Sequence, residues 1–173
     1  MEIISHRGNL DGPDPARENT TEAITGAMAL GYSVEFDLRY HDGKFWLGHD
    51  EPQYPFEYNK LTEAYGTAEN QFGTLYAHCK TVETLQRMLE VPDIMEDLFL
   101  WDIVPFYHDV DECILLNNGL VWVHPRALFN AQAATKYSIF VHPELVDLSG
   151  NTKNEIYGVC TDFPNQLKAN LAK

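Results

Sequence analysis

The chain has 173 residues, 45% hydrophobic and 12% aromatic, with 26 acidic against 12 basic side chains and a formal net charge of −14. That length suits one domain, residues 1–173, which can bury about two-thirds of its unfolded surface without a metal or disulfide. No apolar run approaches the roughly 18 residues that span a bilayer, so integral membrane association is not expected, and the carboxylate excess, unrelieved by any basic block, repels nucleic-acid backbones.

Glu2-Ile3-Ile4-Ser5-His6 reads as a first strand. After the Gly12-Pro13-Asp14-Pro15 loop, Ile24, Ala27 and Met28 share one face of a helix over 20–30, with Asn19 and Glu22 as its capping box and Gly31 as its stop. The second strand, Ser33 to Leu38, alternates: Val34, Phe36 and Leu38 on one face, Glu35 and Asp37 on the other. Asp42-Gly43 is a hairpin turn that brings residues 44–48 back antiparallel, and residues 51–73 read as a loop. Leu75 to Cys79 is a strand, and Val82, Leu85, Met88 and Leu89 mark a helix ended by Pro92. Strands follow at 98–101, 120–123, 138–141 and 157–160, with a short helix near 110–116 and a last one from about Asn165. Seven barrel-type strands in regular β-then-α order predict a parallel α/β sheet with its chemistry at the C-terminal strand ends.

Functional side chains gather at those ends: His6-Arg7-Gly8, Glu18-Asn19-Thr20, Glu35-Phe36-Asp37 and His49-Asp50. This is the equipment of metal-assisted phosphoryl chemistry. Carboxylates hold a hard divalent cation, the cation and arginine neutralise phosphate oxygens, and two histidines move protons near neutral pH.

In their order these motifs resemble the glycerophosphodiester phosphodiesterases, which belong with the phosphoinositide-phospholipase-C-like barrels. The likeness is tight over residues 3–52 and returns at Gly158-Val159-Cys160-Thr161-Asp162-Phe163-Pro164. It implies a compressed or incomplete TIM-type (β/α) barrel of about seven parallel strands, since a complete one takes about 250 residues. It also implies His6 and His49 as the acid–base pair with Arg7 beside them, and Glu35 and Asp37 as ligands of one divalent cation (magnesium, manganese or calcium). Arg7, Lys80 and Glu18 would contact substrate. His78 stands two residues before Lys80, where the family has a carboxylate. As a third ligand it would favour softer ions, zinc included. The substrate implied is a small phosphodiester, cleaved by hydrolysis or by cyclic-phosphate formation; the alternative is a non-catalytic metal- or phosphate-binding barrel of the same descent.

Structural readings compete for the same residues. Arg7 and Glu18 can be an ion pair, Glu18 to Thr20 a helix cap, and Glu35 with Asp37 a solvated edge; as a metal site without its cation, the Glu35 and Asp37 pair should repel and raise one carboxyl pKa. His108, followed by Asp109, Asp111 and Glu112, reads as the start of a solvated acidic helix rather than a second metal site. His124 and His142 end strands before prolines, so each either faces the mouth or caps a carbonyl, and Trp122 faces the mouth or fills the core. Cys79, Cys113 and Cys160, odd in number and without metal spacing, read as buried thiols of a reducing compartment. With no basic, apolar leader over Met1 to Ser5, cytoplasmic residence is expected.

Overall fold

The computed structural model describes residues 1–66, 73–90, 103–109, 112–124, 135–142 and 156–173. Its strands are β1 (Glu2–His6), β2 (Ser33–His41), β3 (Lys44–Leu47), β4 (Tyr54–Pro55), β5 (Leu75–Cys79), β6 (Ile103–Phe106), β7 (Cys113–Leu115), β8 (Val121–Val123), β9 (Ser138–Val141) and β10 (Gly158–Thr161). Four short helices accompany them among the described residues: α1 (Thr21–Ala29), α2 (Tyr58–Gly66), α3 (Val82–Glu90) and α4 (Pro164–Leu171). None is long and apolar enough to cross a membrane.

All ten strands join one sheet, ordered β4-β3-β2-β1-β10-β9-β8-β7, with β5 between β2 and β6. The TIM-type barrel expected from the sequence is therefore corrected to a mixed half-barrel. β6, β5, β2, β1, β10, β9 and β8 run parallel, but β3, β4 and β7 run antiparallel to their neighbours. The β-then-α repeat breaks at two hairpins. At Asp42-Gly43 both residues take positive φ, 49° and 75°, and turn β2 back onto β3. At Asn118-Gly119 the chain turns β7 onto β8, so a strand stands at Cys113–Leu115 where a helix is predicted. Residues 51–73, read as a loop, contain β4 and α2. The strand expected at 98–101, with Trp101, lies outside the described residues, and β6 begins at Ile103.

Burial on both faces of β2 fixes the site. Val34, Phe36 and Leu38 pack outward against Ile24 and Met28 of α1 and Met88 of α3. The opposite face meets a second apolar cluster that includes Ile4, Tyr76, Phe106, Trp122, Ile139 and Cys160. Side chains bring the two ends of the curled sheet together: the Phe106 and Trp122 rings lie 4.9 Å apart. Cys79 and Cys160 are buried as expected, and burial pushes the Cys79 thiol up to about 12, unsuited to nucleophilic work. Cys113 is exposed, which corrects its reading as a buried thiol.

Candidate functional site

Where β1 ends, the backbone is bent to aim side chains. Arg7 has φ 54° and Asn19 φ 58°, and the Asn19 amide donates to the Arg7 carbonyl at 2.9 Å. Gly8 follows at φ 79°, and a Cβ there would sit 2.7 Å from the backbone of Ala23, so glycine lets α1 lie directly on this turn. Asn19 is not the helix cap. Thr20 takes that role, its Oγ1 accepting from Ala23 N at 3.1 Å. The Asn19 side chain is directed to Asp37, donating to Oδ2 at 3.0 Å and accepting from Asp37 N at 2.9 Å.

Asp37 is the hub. Its side chain is 1% exposed, with Arg7 Nε 2.9 Å away, Lys80 Nζ at 3.2 Å and His78 Nδ1 at 3.2 Å. Arg7 also donates through Nη1 to Glu18 Oε1 at 2.9 Å. Register explains the gathering, since Asp37 pairs with His78 across β2 and β5, and Glu35 with His6 across β2 and β1. Burial opposes charge on Asp37, yet the His78 hydrogen bond and the charges of Lys80 and Arg7 hold its pKa well below the usual carboxylate range. Glu35 too is lowered: burial and Asp37 push it up, and His78 and His6 outweigh them. The raised carboxyl expected from like-charge repulsion is thus replaced by two lowered ones, because cationic side chains surround the pair. Burial disfavours the His78 imidazolium, but the carboxylates of Asp37 and Glu35 beside it raise its pKa.

His6 is held from the far side of the sheet. Its Nδ1 lies 2.8 Å from Asp162 Oδ1, an oxygen that also accepts from Asn9 Nδ2 at 2.8 Å. With the Nδ1 proton directed to Asp162, Nε2 faces Glu35 Oε2 at 3.8 Å. His49 is more open, 43% exposed, with Nδ1 2.7 Å from Asp50 Oδ1. Arg39 fixes the backbone beneath it, donating to Gly48 O at 3.0 Å and to the His49 carbonyl.

One cavity of about 370 Å³ is lined by His6, Arg7, Glu35, Asp37, His49, His78, Lys80, Trp122, His124 and His142. Every candidate taken from the sequence reaches it except Glu18, which supports Arg7 from behind. His108 also lines it, correcting its reading as part of a solvated helix. Its ring stacks on His78 with centroids 4.3 Å apart, and its Nε2 lies 3.1 Å from that of His124. Asp162, Asn19, Asn9 and Arg39 were not assigned from the sequence. Asn19 and Asp162 lie within motifs, but Asn19 has the pattern of a helix cap, and what Asp162 does depends on contacts with residues more than 150 positions away.

No family model matches the chain, and neither a curated protein nor a solved structure matches it.

The donor set fits a divalent cation. Glu35, Asp37 and His78 offer ligand atoms within 4.8 Å of one another. Glu35 Oε2 is buried without a hydrogen-bond partner, a costly state for a carboxylate oxygen unless something else pairs with it. Manganese at a hundred times its dissociation constant should stabilise the fold by about 2.7 kcal/mol, a rise in melting temperature of roughly 5–10 °C for a domain of this size. Calorimetry of the Glu35→Gln/Asp37→Asn double variant should show no such rise; an undiminished one would move the ion elsewhere.

Proposed function

We propose that the chain is a metal-dependent phosphodiesterase acting on a small phosphodiester by histidine acid–base catalysis. The observation that carries this reading is that His6 and His49 line the same cavity as the Glu35, Asp37, His78 donor set and the cations of Arg7 and Lys80. A binding pocket needs the charges; it has no use for two imidazoles, each with a carboxylate on its Nδ1.

A cation held by Glu35, Asp37 and His78 supplies charge neutralisation at a nonbridging phosphate oxygen. The protein's own groups do the rest. Arg7 and Lys80, anchored through Asp37, keep further donors for the remaining oxygens, where negative charge grows as the nucleophile adds. His6, buried and oriented by Asp162, takes the proton of the attacking hydroxyl at Nε2. His49, at the open edge, gives a proton to the leaving alkoxide. Trp122 and Phe106 form an apolar floor beneath the charged layer and keep bulk water from entering behind it. If the hydroxyl belongs to the substrate the product is a cyclic phosphate; if it is water, a monoester.

Bis(p-nitrophenyl) phosphate tests the reading. Release of p-nitrophenol should require manganese, magnesium or zinc and should stop on adding a chelator. Metal binding without release of p-nitrophenol, or of alcohol from alkyl phosphodiesters, would reduce the chain to a binding module.

A further inference from the structure

We propose that His6, His142 and Asp162 hold a second divalent cation beside the Glu35, Asp37, His78 site. One ligand atom from each of the three residues lies within 4.8 Å of the others. His142 and His6 meet edge to face with ring centroids 4.2 Å apart, and Asp162 reaches both: Oδ1 lies 2.8 Å from His6 Nδ1 and Oδ2 3.6 Å from His142 Nδ1. An orienting role for Asp162 explains only the first of these contacts.

Glu35 is not part of this set: its Oε2 faces His6 Nε2 at 3.8 Å, on the opposite edge of the imidazole ring from Asp162, and its Oε1 faces His78 at 3.7 Å. The His6 atom shared with Asp162 and His142 is therefore Nδ1.

The two sets differ in character. Glu35, Asp37 and His78 are rich in oxygen; His6, His142 and Asp162 are rich in imidazole, a composition that selects zinc or cobalt over magnesium. The consequence for turnover, which rests on the phosphodiesterase reading, is inhibition by excess zinc, because an ion on His6 Nδ1 replaces Asp162 as the partner that orients the ring and withdraws electron density from Nε2.

Ion counting tests the inference without any substrate. In equilibrium dialysis against cobalt the folded wild-type chain should bind two ions, and His142→Asn and His142→Gln, each checked for folding by circular dichroism, should bind one. Magnesium should displace only one of the two cobalt ions from the wild type. Saturation of the wild type at one ion would overturn the second site and leave the phosphodiesterase reading standing, whereas no bound ion at all would overturn both. Two ions retained in both His142 variants would also sink the assignment.

Discussion

On an alkyl phosphodiester, His6→Ala and His49→Ala should each lower kcat/KM by about a hundred- to ten-thousandfold, the usual contribution of general acid–base catalysis. The wild-type pH profile should be bell-shaped, since one histidine must be neutral while the other is charged. Changing the leaving group separates the roles. A p-nitrophenolate departs without a proton, so the variant lacking the acid should recover most of its deficit on p-nitrophenyl esters while the variant lacking the base should not. The geometry favours recovery by His49→Ala: His49 sits at the open edge with Asp50, 90% exposed, beside it, whereas His6 is enclosed, 13% exposed, and carries Asp162 on Nδ1. Asp162→Asn should mimic His6→Ala in part, with a shifted acidic limb of the pH profile, as befits a positioning residue of the base. Equal losses on both ester types would make the pair merely positional, and undiminished activity in either variant would remove that histidine from the mechanism.

Asp37→Asn should be the most destabilising change in the site. It leaves Arg7, Lys80 and His78 around a neutral amide in a position 1% exposed, and removing one partner of a buried ionic network typically costs about 3–5 kcal/mol. Glu35→Gln should cost less, because its imidazole neighbours lie 3.7 and 3.8 Å away, beyond hydrogen-bond reach. Asp50→Asn, on the exposed surface, should stay within about 0.5 kcal/mol. The same network sets the pH dependence of the metal-free fold. Asp37 has a folded pKa well below its unfolded value of about 4, so its stabilisation is complete above that value and is lost as acid approaches the folded one. His78 has a folded pKa above its unfolded value of about 6.5, so its contribution is complete below that and is lost as pH rises through the folded one. Stability should therefore peak between about pH 4 and 6.5. Urea midpoints that stay flat or rise from pH 6 to 8 would show that His78 is not held charged by Asp37 and Glu35.

Much of this site is legible in the residues because its logic is local. A period-two strand puts Glu35 and Asp37 on one face whatever the strand pairs with, and a strand ending in His6-Arg7-Gly8 delivers a cation and an imidazole to one end of a sheet. Helices α1 and α3 follow from apolar spacing, and the β2–β3 hairpin from Asp42-Gly43, for the same reason. Register between distant strands has no such local signature. Nothing near Asp162 says that it will meet His6, Asn9 and His142, and nothing near Asn19, which satisfies the pattern of a helix cap, says that Asp37 will claim its side chain. His108 and its neighbouring acids look like a solvated helix start until the curl of the sheet brings β6 against β8 and stacks the ring on His78. The barrel expectation failed on the same point. Strand count and a resemblance cannot tell whether Cys113 to Leu115 continues a β-then-α repeat or folds back as a hairpin, because three residues carry too little periodicity to decide and only pairing with Val121–Val123 settles their direction. The sequence by itself determined that Glu35 and Asp37 share one strand face and that His6 and Arg7 stand at a strand end; the tertiary structure alone decided which carboxylate meets which imidazole, since that depends on register between distant strands.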